Sequence, residues 1–351
     1  MNLCFVMESF TLGGVEKVSY QLLKNWQTQY PECKLHLKVL SDKGELAPLF
    51  NELNNVVVSK IEGFWQFRKY CLKHNIDCVI FTKGGISRYS LLLPGKVKTY
   101  SIQHVPINLP QVSNLKNKLR MLGAAFFYRM VDQVVCVSHG IRENLIEKLR
   151  LNPHRVTTIY NAVIDETTNA LAKQPVEYQD YYVFVGRLSY QKGNDMLLNS
   201  LALVVKKAPE IKVVIIGDGE DRQSFIEQIK ALKLDQNVIL HGFSDNPYKY
   251  IKNAKALLLP SRWEGLPTVL VEAAYLGTQI ISFDCRYGPS ELTANGKYGY
   301  LIEQDNIREF ADAIYKIEQQ ELLPNADVSD FTGRQATANY FEYTKSLIAK
   351  L

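Results

Sequence analysis

Two glutamates in one short stretch of the chain are the first residues whose placement suggests chemistry. Glu264 and Glu272 lie in the segment LLLPSRWEGLPTVLVEAAYLG, residues 257–277, with seven residues between them. Glu272 is the only charge in a run of apolar and small residues, and a carboxylate there is costly unless a partner meets it. We therefore expect a polar group to contact Glu272.

The elements that position these glutamates can be predicted from the same segment. Residues 256–259 are typical of a buried strand, 260–266 form a turn, and a helix begins at Pro267 and ends near Gly277. Proline suits the first helical position because its missing N–H has no helical partner there, and glycine suits the C-terminal cap. Glu264 is thus predicted in the turn and Glu272 on the helix.

Two cations follow another predicted strand, Arg187 and Lys192 in the segment VGRLSYQKG at residues 185–193. Arginine offers a fork of donors and lysine a point charge, so two fixed cations at a strand end can neutralise a diphosphate. The positive N-terminal end of the helix at Pro267 would add to the same site. The alternative is a surface ion pair.

Composition restricts the class of protein. The 351 residues suffice for two domains, and 46% apolar with 22% charged residues is typical of a soluble globular protein. No apolar run approaches the length of a membrane-spanning helix, and residues 1–6 lack the basic start of a signal peptide. These features predict a cytoplasmic protein. The six cysteines form no CxxC pair and no cluster with histidine, so we interpret them as reduced core thiols.

The first half of the chain predicts a nucleotide-binding α/β domain. A strand at 3–7, the pair Gly13-Gly14 and a helix at 15–26 open it, without the GxGxxG dinucleotide fingerprint. Backbone N–H groups of the glycine pair can approach an anionic oxygen; a purely structural tight turn is the alternative. Further strands are predicted at 35–40, 56–60, 78–82, 97–102 and 133–137, in a mostly parallel sheet. His104 and Ser138 follow two of these strands, where ligands bind in such sheets, although a lone histidine is more often structural.

Charge is uneven along the chain. Residues 1–165 contain 21 Lys/Arg and 12 Asp/Glu, a net charge of +9, whereas the remainder has a net charge of −4. An anionic surface or acceptor near the first half is one explanation and an ordinary solvated face is the other. Residues 114–130 predict a basic amphipathic helix, with Leu115, Leu119, Leu122 and Phe126 on one stripe. That helix either rests on an anionic membrane or packs its stripe on the sheet, and we favour the packed helix.

The second half repeats the α/β pattern after a polar segment at 165–180 that is predicted to be a linker. Strands are predicted at 181–185, 213–216, 238–240, 256–259 and 279–283, with helices between them. We assign residues 1–164 to the first domain and 165–333 to the second, with a C-terminal helix at 334–351 that crosses back to the first. A cleft between two such domains is the default small-molecule site.

Several segments together resemble the retaining GT-B glycosyltransferases of family four, the group 1 glycosyl transferases. They occur in the order of that family and cover essentially the whole chain: GGVEK (13–17), QH (103–104), CVSHG (136–140), IYNAV (159–163), VGRLSYQKG (185–193), GDGED (217–221), HGF (241–243), PSRWEGLPTVLVEA (260–273) and FDCRYGPSEL (283–292). The expected fold is α/β, with two doubly wound Rossmann-like domains facing across a cleft.

The resemblance also implies roles for individual residues. It makes His104, near the reacting sugar, and Glu264, at the donor sugar, the catalytic residues, and Glu272 the ligand of the ribose hydroxyls. Five residues from the helix start to Glu272 span roughly 7.5 Å, about the distance from a diphosphate to its ribose. The expected donor-binding residues are Gly13, Gly14, Arg187, Lys192, Gly217, Gly242, Phe243, Gly265, Leu266, Pro267, Thr268 and Glu272.

A metal and a cofactor are not expected. The chain contains no DxD motif and no metal-spaced cluster of histidine and aspartate, and the two cations with the helix end can replace a divalent ion. The family implies retention at the anomeric carbon. The segment at 283–291 resembles a subgroup that uses UDP-sugars in building bacterial surface glycans.

The sequence therefore predicts an enzyme that transfers a hexose or N-acetylhexosamine from a UDP-sugar to a lipid-linked or lipopolysaccharide or capsule acceptor. It would be cytoplasmic and would bind no nucleic acid. If residues 114–130 rest on the membrane instead of packing on the sheet, it would also contact the inner face of the plasma membrane peripherally. A GDP-mannose-dependent mannosyltransferase is the alternative, and a nucleotide-sugar epimerase of the same architecture fits less well. A solute-binding protein would need an export signal, and a non-catalytic subunit need not keep both glutamates and both cations.

Overall fold

The computed structural model describes residues 1–107 and 114–350. The chain forms two compact units, one made of residues 1–163 with 330–351 and the other of residues 164–329. Among the described residues, no helix is both long and apolar enough to cross a bilayer. All six cysteines are buried and unpaired, which confirms their interpretation as core thiols.

The first unit is built on a seven-stranded parallel sheet. Its strands are β1 (Asn2–Met7), β2 (Lys34–Val39), β3 (Val56–Lys60), β4 (Cys78–Phe81), β5 (Lys98–Gln103), β6 (Gln133–Cys136) and β7 (Val156–Thr158), in the spatial order β3-β2-β1-β4-β5-β6-β7. Its helices are α1 (Gly14–Gln29), α2 (Ala47–Asn51), α3 (Phe64–Lys73), α4 (Asn114–Met130), α5 (His139–Leu149) and the C-terminal helix (Gly333–Ile348). The central strands are almost wholly buried, as expected for parallel strands covered on both faces.

The C-terminal helix packs within this first unit. The ring of Phe341 stacks on Tyr30 with centroids 3.6 Å apart and lies edge-on to Trp26. The hydroxyl of Tyr100 in β5 lies 3.1 Å from Oγ1 of Thr344. The last residues of the chain therefore help to close the core around α1 and β5.

The second unit contains a six-stranded parallel sheet. Its strands are β8 (Tyr181–Val185), β9 (Lys212–Ile216), β10 (Val238–Gly242), β11 (Ala256–Leu259), β12 (Gln279–Phe283) and β13 (Tyr300–Ile302), in the order β10-β9-β8-β11-β12-β13. Its helices are α6 (Thr168–Ala172), α7 (Asn194–Val204), α8 (Arg222–Ala231), α9 (Tyr248–Lys252), α10 (Thr268–Leu276), α11 (Pro289–Leu292) and α12 (Ile307–Glu318). The strand order reverses between β8 and β11, and ligands of doubly wound sheets bind at such a switch point.

The structure differs from the sequence predictions at three places among these elements. The polar segment at 165–180 is not a free linker: it carries α6, and Asn246 donates to the carbonyl of Leu171 at 2.9 Å while the Tyr178 hydroxyl lies 3.0 Å from Nδ1 of His241. The strands β7 and β13 were not predicted because each has only three residues. Helix α10 also begins one residue later than predicted, since Pro267 is its N-cap with ψ of 92°.

Candidate functional site

The loops after β8 and β11 meet at the switch point of the second unit and hold each other in place. Arg262 donates to both carboxylate oxygens of Asp195, at 2.8 and 2.6 Å, and to the carbonyl of Tyr190 at 2.8 Å. Its backbone N–H donates to the carbonyl of Gln191 at 2.8 Å. A bidentate, charge-assisted pair of this kind fixes geometry as well as adding stability. The two loops therefore form one rigid structure.

The central contact of this site joins two predicted residues. Nζ of Lys192 donates to Oε1 of Glu264 at 2.7 Å, and Oγ of Ser261 donates to the same oxygen at 2.7 Å. The Glu264 side chain is only 7% exposed, whereas Lys192 is 21% exposed. A buried carboxylate is tolerable because both donors satisfy it. The pair leaves the second carboxylate oxygen of Glu264 with its own capacity to accept a hydrogen bond.

Arg187 lies on the same loop as Lys192 but is exposed, and none of the described carboxylates lies within ion-pairing distance of its guanidinium. The alternative of a surface ion pair is therefore wrong for Arg187. An exposed cation just after β8 that has no ionic partner among the described residues is available to an anionic ligand.

Glycines let the strand ends approach each other closely at this edge. Gly217 has a φ of +145°, and a Cβ there would lie 1.9 Å from the carbonyl oxygen of Gly186. Its N–H donates to the carbonyl of Gly242 at 2.8 Å, so that the ends of β8, β9 and β10 are in contact. Phe243 follows β10 and is 63% exposed. An aromatic face open to solvent at a strand end is a surface on which a planar ring can stack.

The segment from Gly265 to Glu272 carries the remaining predicted donor residues. Leu266 and Pro267 are buried, Thr268 opens α10, and a Cβ at Gly288 would lie 2.3 Å from Cδ of Pro267. Glu272 is half-buried and has a partner, as expected for an isolated carboxylate. Burial, followed by the charges of Glu272 and Asp165, raises the pKa of the Tyr248 phenol.

His104 lies in the first unit, after β5, at the wall of a cavity of about 600 Å³. Lys83, Arg88 and Arg120 also line this cavity, beside apolar side chains such as Phe127. Burial and the charge of Lys83 lower the pKa of His104 to about 4, partly opposed by a hydrogen bond to the backbone of Thr82. The imidazole is therefore neutral near pH 7, and its Nε2 is buried without a partner among the described residues.

A carboxylate of the chain itself lies beside the glycine pair at the start of α1. Gly13 is the N-cap of α1 and Gly14 its first residue. A Cβ on Gly13 would lie 2.3 Å from Oε2 of Glu16, whose other oxygen accepts from Nζ of Lys83 at 2.7 Å. Negative charge is favourable at a helix N-terminus, and here Glu16 supplies it. Ser138 has a similar structural role, because its Oγ accepts from the N–H of Ile141 as the N-cap of α5.

The basic helix α4 does not pack its apolar stripe on the sheet, and the interpretation that we favoured from the sequence is wrong. Leu115, Leu119, Leu122 and Phe126 are 69%, 61%, 62% and 57% exposed. The opposite face packs instead: Tyr128 is buried, its hydroxyl donates to Oε1 of Gln103, and Arg120 faces the His104 cavity. Periodicity showed that the helix is amphipathic but not which face the fold covers.

The structure joins Lys192 to Glu264 and Gly217 to Gly242 in the second unit, whereas His104, Gly13 and Gly14 belong to the first. Sequence analysis missed Ser261, Arg262 and Asp195, which fix the central loops. The signal for Ser261 and Arg262 was the SRWE run, in which a hydroxyl and a guanidinium come just before the glutamate. Asp195 lies outside that run. Within residues 1–107 and 114–350, no three His, Cys, Asp or Glu side chains converge as a metal site requires.

Two Rossmann-like units with parallel sheets define the GT-B fold. Residues 166–329 match the family described as glycosyl transferases group 1, and residues 12–167 match glycosyltransferase family 4. The chain belongs to the family 4, group 1 glycosyltransferases.

Individual relatives agree with this assignment. The chain is 26% identical over 318 residues to an N-acetylgalactosamine-N,N′-diacetylbacillosaminyl-diphospho-undecaprenol 4-alpha-N-acetylgalactosaminyltransferase of Campylobacter jejuni, covering 89% of this chain and 82% of the relative. It is 30% identical over 210 residues to an uncharacterised glycosyltransferase of Methanocaldococcus jannaschii, covering 54% of this chain and only 52% of that relative. The crystal structure of Anabaena HepE in complex with UDP has the same fold, with a TM-score of 0.75 at 17% identity over 100% of this chain and 98% of that one.

Proposed function

We propose that this protein transfers a hexose or N-acetylhexosamine from a UDP-sugar to a lipid-linked or lipopolysaccharide-type acceptor, with retention at the anomeric carbon and without a metal ion. The observation that carries the proposal is the pairing of Lys192 with Glu264 at the switch point of the second unit, with Arg187 exposed on the same loop as Lys192. Cations and a carboxylate in that place suit a diphosphate and the sugar attached to it.

The diphosphate is assigned to Arg187, Lys192 and the start of α10. When the bond between the sugar and the diphosphate breaks, negative charge develops on the β-phosphate. Within the described part of the chain Arg187 has no ionic partner to leave, and the Lys192 ammonium has donors beyond the one that it gives to Glu264. The first N–H groups of α10, which has nine residues, add positive potential. These groups together can do the work of a divalent cation.

The transferred sugar and its acceptor are assigned to Glu264 and His104. Glu264 is held by Lys192 and Ser261, so it can accept a sugar hydroxyl in a fixed orientation. His104 is neutral near pH 7 and lines a cavity with three cations, which suits a polar sugar on an acceptor that carries negative charge. The name of the Campylobacter relative, which includes a diphospho-undecaprenol acceptor, supports a lipid-linked acceptor, and the UDP complex of the Anabaena protein supports UDP.

A panel of nucleotide-sugars tests the proposal. We expect slow UDP release from one or more of UDP-galactose, UDP-N-acetylgalactosamine and UDP-N-acetylglucosamine, unchanged by EDTA. Release of GDP from GDP-mannose, with no UDP released from any UDP-sugar, would mean that GDP-mannose is the donor. Strict dependence on Mn²⁺ would overturn metal independence, and a β-configured product from an α-linked donor would overturn retention.

Replacement of Glu272 with alanine tests the ribose contact. Glu272 is one turn along α10, roughly 6 Å from its first residue at 1.5 Å per residue. A charge-assisted hydrogen bond is worth about 1.5–3 kcal/mol, so we expect UDP affinity to fall by roughly tenfold or more in calorimetry. Glu309→Ala, on the exposed face of α12, is the matched control. Equal affinity of Glu272→Ala and wild type would remove Glu272 from the donor site.

The exposed stripe of α4 supports peripheral contact with an anionic membrane. Each large apolar side chain that leaves water contributes about 1.5–3 kcal/mol, and each lysine near an anionic surface about 1 kcal/mol. We expect the protein to sediment with anionic vesicles, and Leu119→Ser/Leu122→Ser to lose this binding. Lys116→Glu/Lys118→Glu should weaken it by roughly 30-fold or more.

The matched control for this charge change is Lys206→Glu/Lys230→Glu, at two exposed positions of the second unit. It alters the net charge by the same amount and should leave sedimentation unchanged. If both charge variants lose binding equally, general electrostatics and not α4 explains it.

A further inference from the structure

A second cavity of the first unit, about 390 Å³ in volume, lies between β2, β3 and α3. It is separate from the His104 cavity, and the two share no lining residue. Four lysines line it, Lys38, Lys60, Lys69 and Lys73, against the single acid Glu62. Lys38 is the penultimate residue of β2 and Lys60 the last of β3, so these two lysines lie near the carboxyl edge of the sheet, where ligands bind in this class of fold.

Lys38 is the unusual member of this group, since it is a cation that is only 7% exposed. Its Nζ donates to the carbonyl of Lys60 at 3.0 Å and lies 3.9 Å from the centroid of the Tyr70 ring. No carboxylate of the described residues lies within ion-pairing distance of it. Burial lowers the pKa of Lys38. A lysine charge in this setting is costly unless an anion compensates it.

The helix on the other side of the cavity adds further unbalanced charge. Lys69 and Tyr70 lie three and four residues after Gln66, and Lys73 lies four and three residues after them, so the four side chains share one face of α3. Like charges four residues apart destabilise a helix by a few tenths of a kcal/mol, as Lys69 and Lys73 do here. Of the four lysines, Lys60 is paired with a described carboxylate, Asp42 at 3.5 Å, and that contact is exposed. An anion between the strands and α3 would offset both costs.

We infer that this cavity binds the phosphate or diphosphate group of a small ligand, with Lys38 at its floor and Lys69 and Lys73 at its rim. The Lys38 ammonium has three donors and gives one to the protein, so it can donate to a phosphate oxygen. A discrete group is required, because a flat membrane surface reaches exposed lysines but not one that is 7% exposed. The site lies in the first unit and is distinct from the donor loops.

Inorganic pyrophosphate is the probe. Hydrogen exchange is measured at the cavity itself, so binding of pyrophosphate to the donor loops should not change the signal. The full chain is held in saturating UDP, and the exchange of amides in residues 56–73 is followed as pyrophosphate is added. We expect slower exchange in the wild type with an apparent Kd tighter than about 1 mM. Lys38→Met, which keeps the buried volume without the charge, should weaken this protection at least tenfold. Lys73→Gln should weaken it severalfold without altering the core.

Lys34→Met is the matched control, because Lys34 begins the same strand β2 but is exposed at its other end. In this variant, pyrophosphate should protect the amides of residues 56–73 as it does in the wild type. Equal protection in wild type and Lys38→Met, or no protection in the wild type at all, would overturn the inference. A third pair of results would also overturn it: pyrophosphate does not protect residues 56–73, and sedimentation with vesicles depends on Lys73. The lysines would then form a membrane-facing surface.

Discussion

Replacing Arg187 with alanine is expected to lower kcat/KM for the sugar donor by about 10²–10³-fold, because it removes one preorganised donor from the departing diphosphate. Arg187 is exposed and has no ion pair among the described residues, so its loss should change the free energy of unfolding by no more than about 0.5 kcal/mol. A large kinetic effect with an unchanged melting curve would separate a role in transfer from a role in folding. Initial rates of UDP release over a range of donor concentrations measure it.

Two further variants sharpen the interpretation of Arg187. Arg187→Lys keeps the charge but loses the forked guanidinium. A kcat/KM between those of Arg187→Ala and wild type would indicate that the charge matters, whereas a kcat/KM as low as that of Arg187→Ala would indicate that bidentate geometry is required. Arg308→Ala removes an exposed arginine from α12 in the same unit and should leave kcat/KM unchanged. A tenfold or smaller loss in Arg187→Ala would contradict direct contact with the diphosphate.

Much of the second unit was predictable because its signals are local. The strands β8, β11 and β12 have the predicted bounds, since each is a short apolar run bounded by glycine, proline or polar residues. The turn predicted at 260–266 is present for the same reason, although it extends one residue further because Pro267 is the N-cap of α10. What the pattern did not contain is the partner of each polar group: the pairing of Arg262 with Asp195 joins residues 67 positions apart.

The first unit shows where periodicity stops being informative. A hydrophobic stripe on α4 indicates an apolar environment, but the same stripe fits a protein core or a lipid surface. The fold decides between them, because small residues such as Gly123 and Ala124 let the other face of α4 approach the His104 cavity. The prediction for the polar segment at 165–180 was wrong for the opposite reason, because the segment shows no periodicity and yet forms a helix. Its few buried residues, among them Thr168 and Ala172, are enough to dock α6.

The contact between Lys192 and Glu264 gives the second large expected effect, and it can be divided into a structural and a catalytic part. Lys192→Met leaves a carboxylate that is 7% exposed, with the Ser261 hydroxyl still donating to it, and removing one partner of a buried pair costs several kcal/mol. Because Lys192 itself is 21% exposed, we expect a loss of about 2–3 kcal/mol in the free energy of unfolding. Urea denaturation followed by circular dichroism measures it.

Removing both charges should restore stability but not transfer. A well-packed apolar pair often replaces a buried ion pair without loss, so Lys192→Met/Glu264→Leu should regain most of the stability that Lys192→Met loses. If Lys192 neutralises the diphosphate and Glu264 holds the sugar, the double variant should still turn over at least 10²-fold more slowly than wild type. Recovery of both stability and turnover would mean that the pair only braces the loop after β11. Recovery of stability alone would mean that transfer needs at least one of the two charges for more than bracing the loop, because the restored loop lacks its two ionised groups.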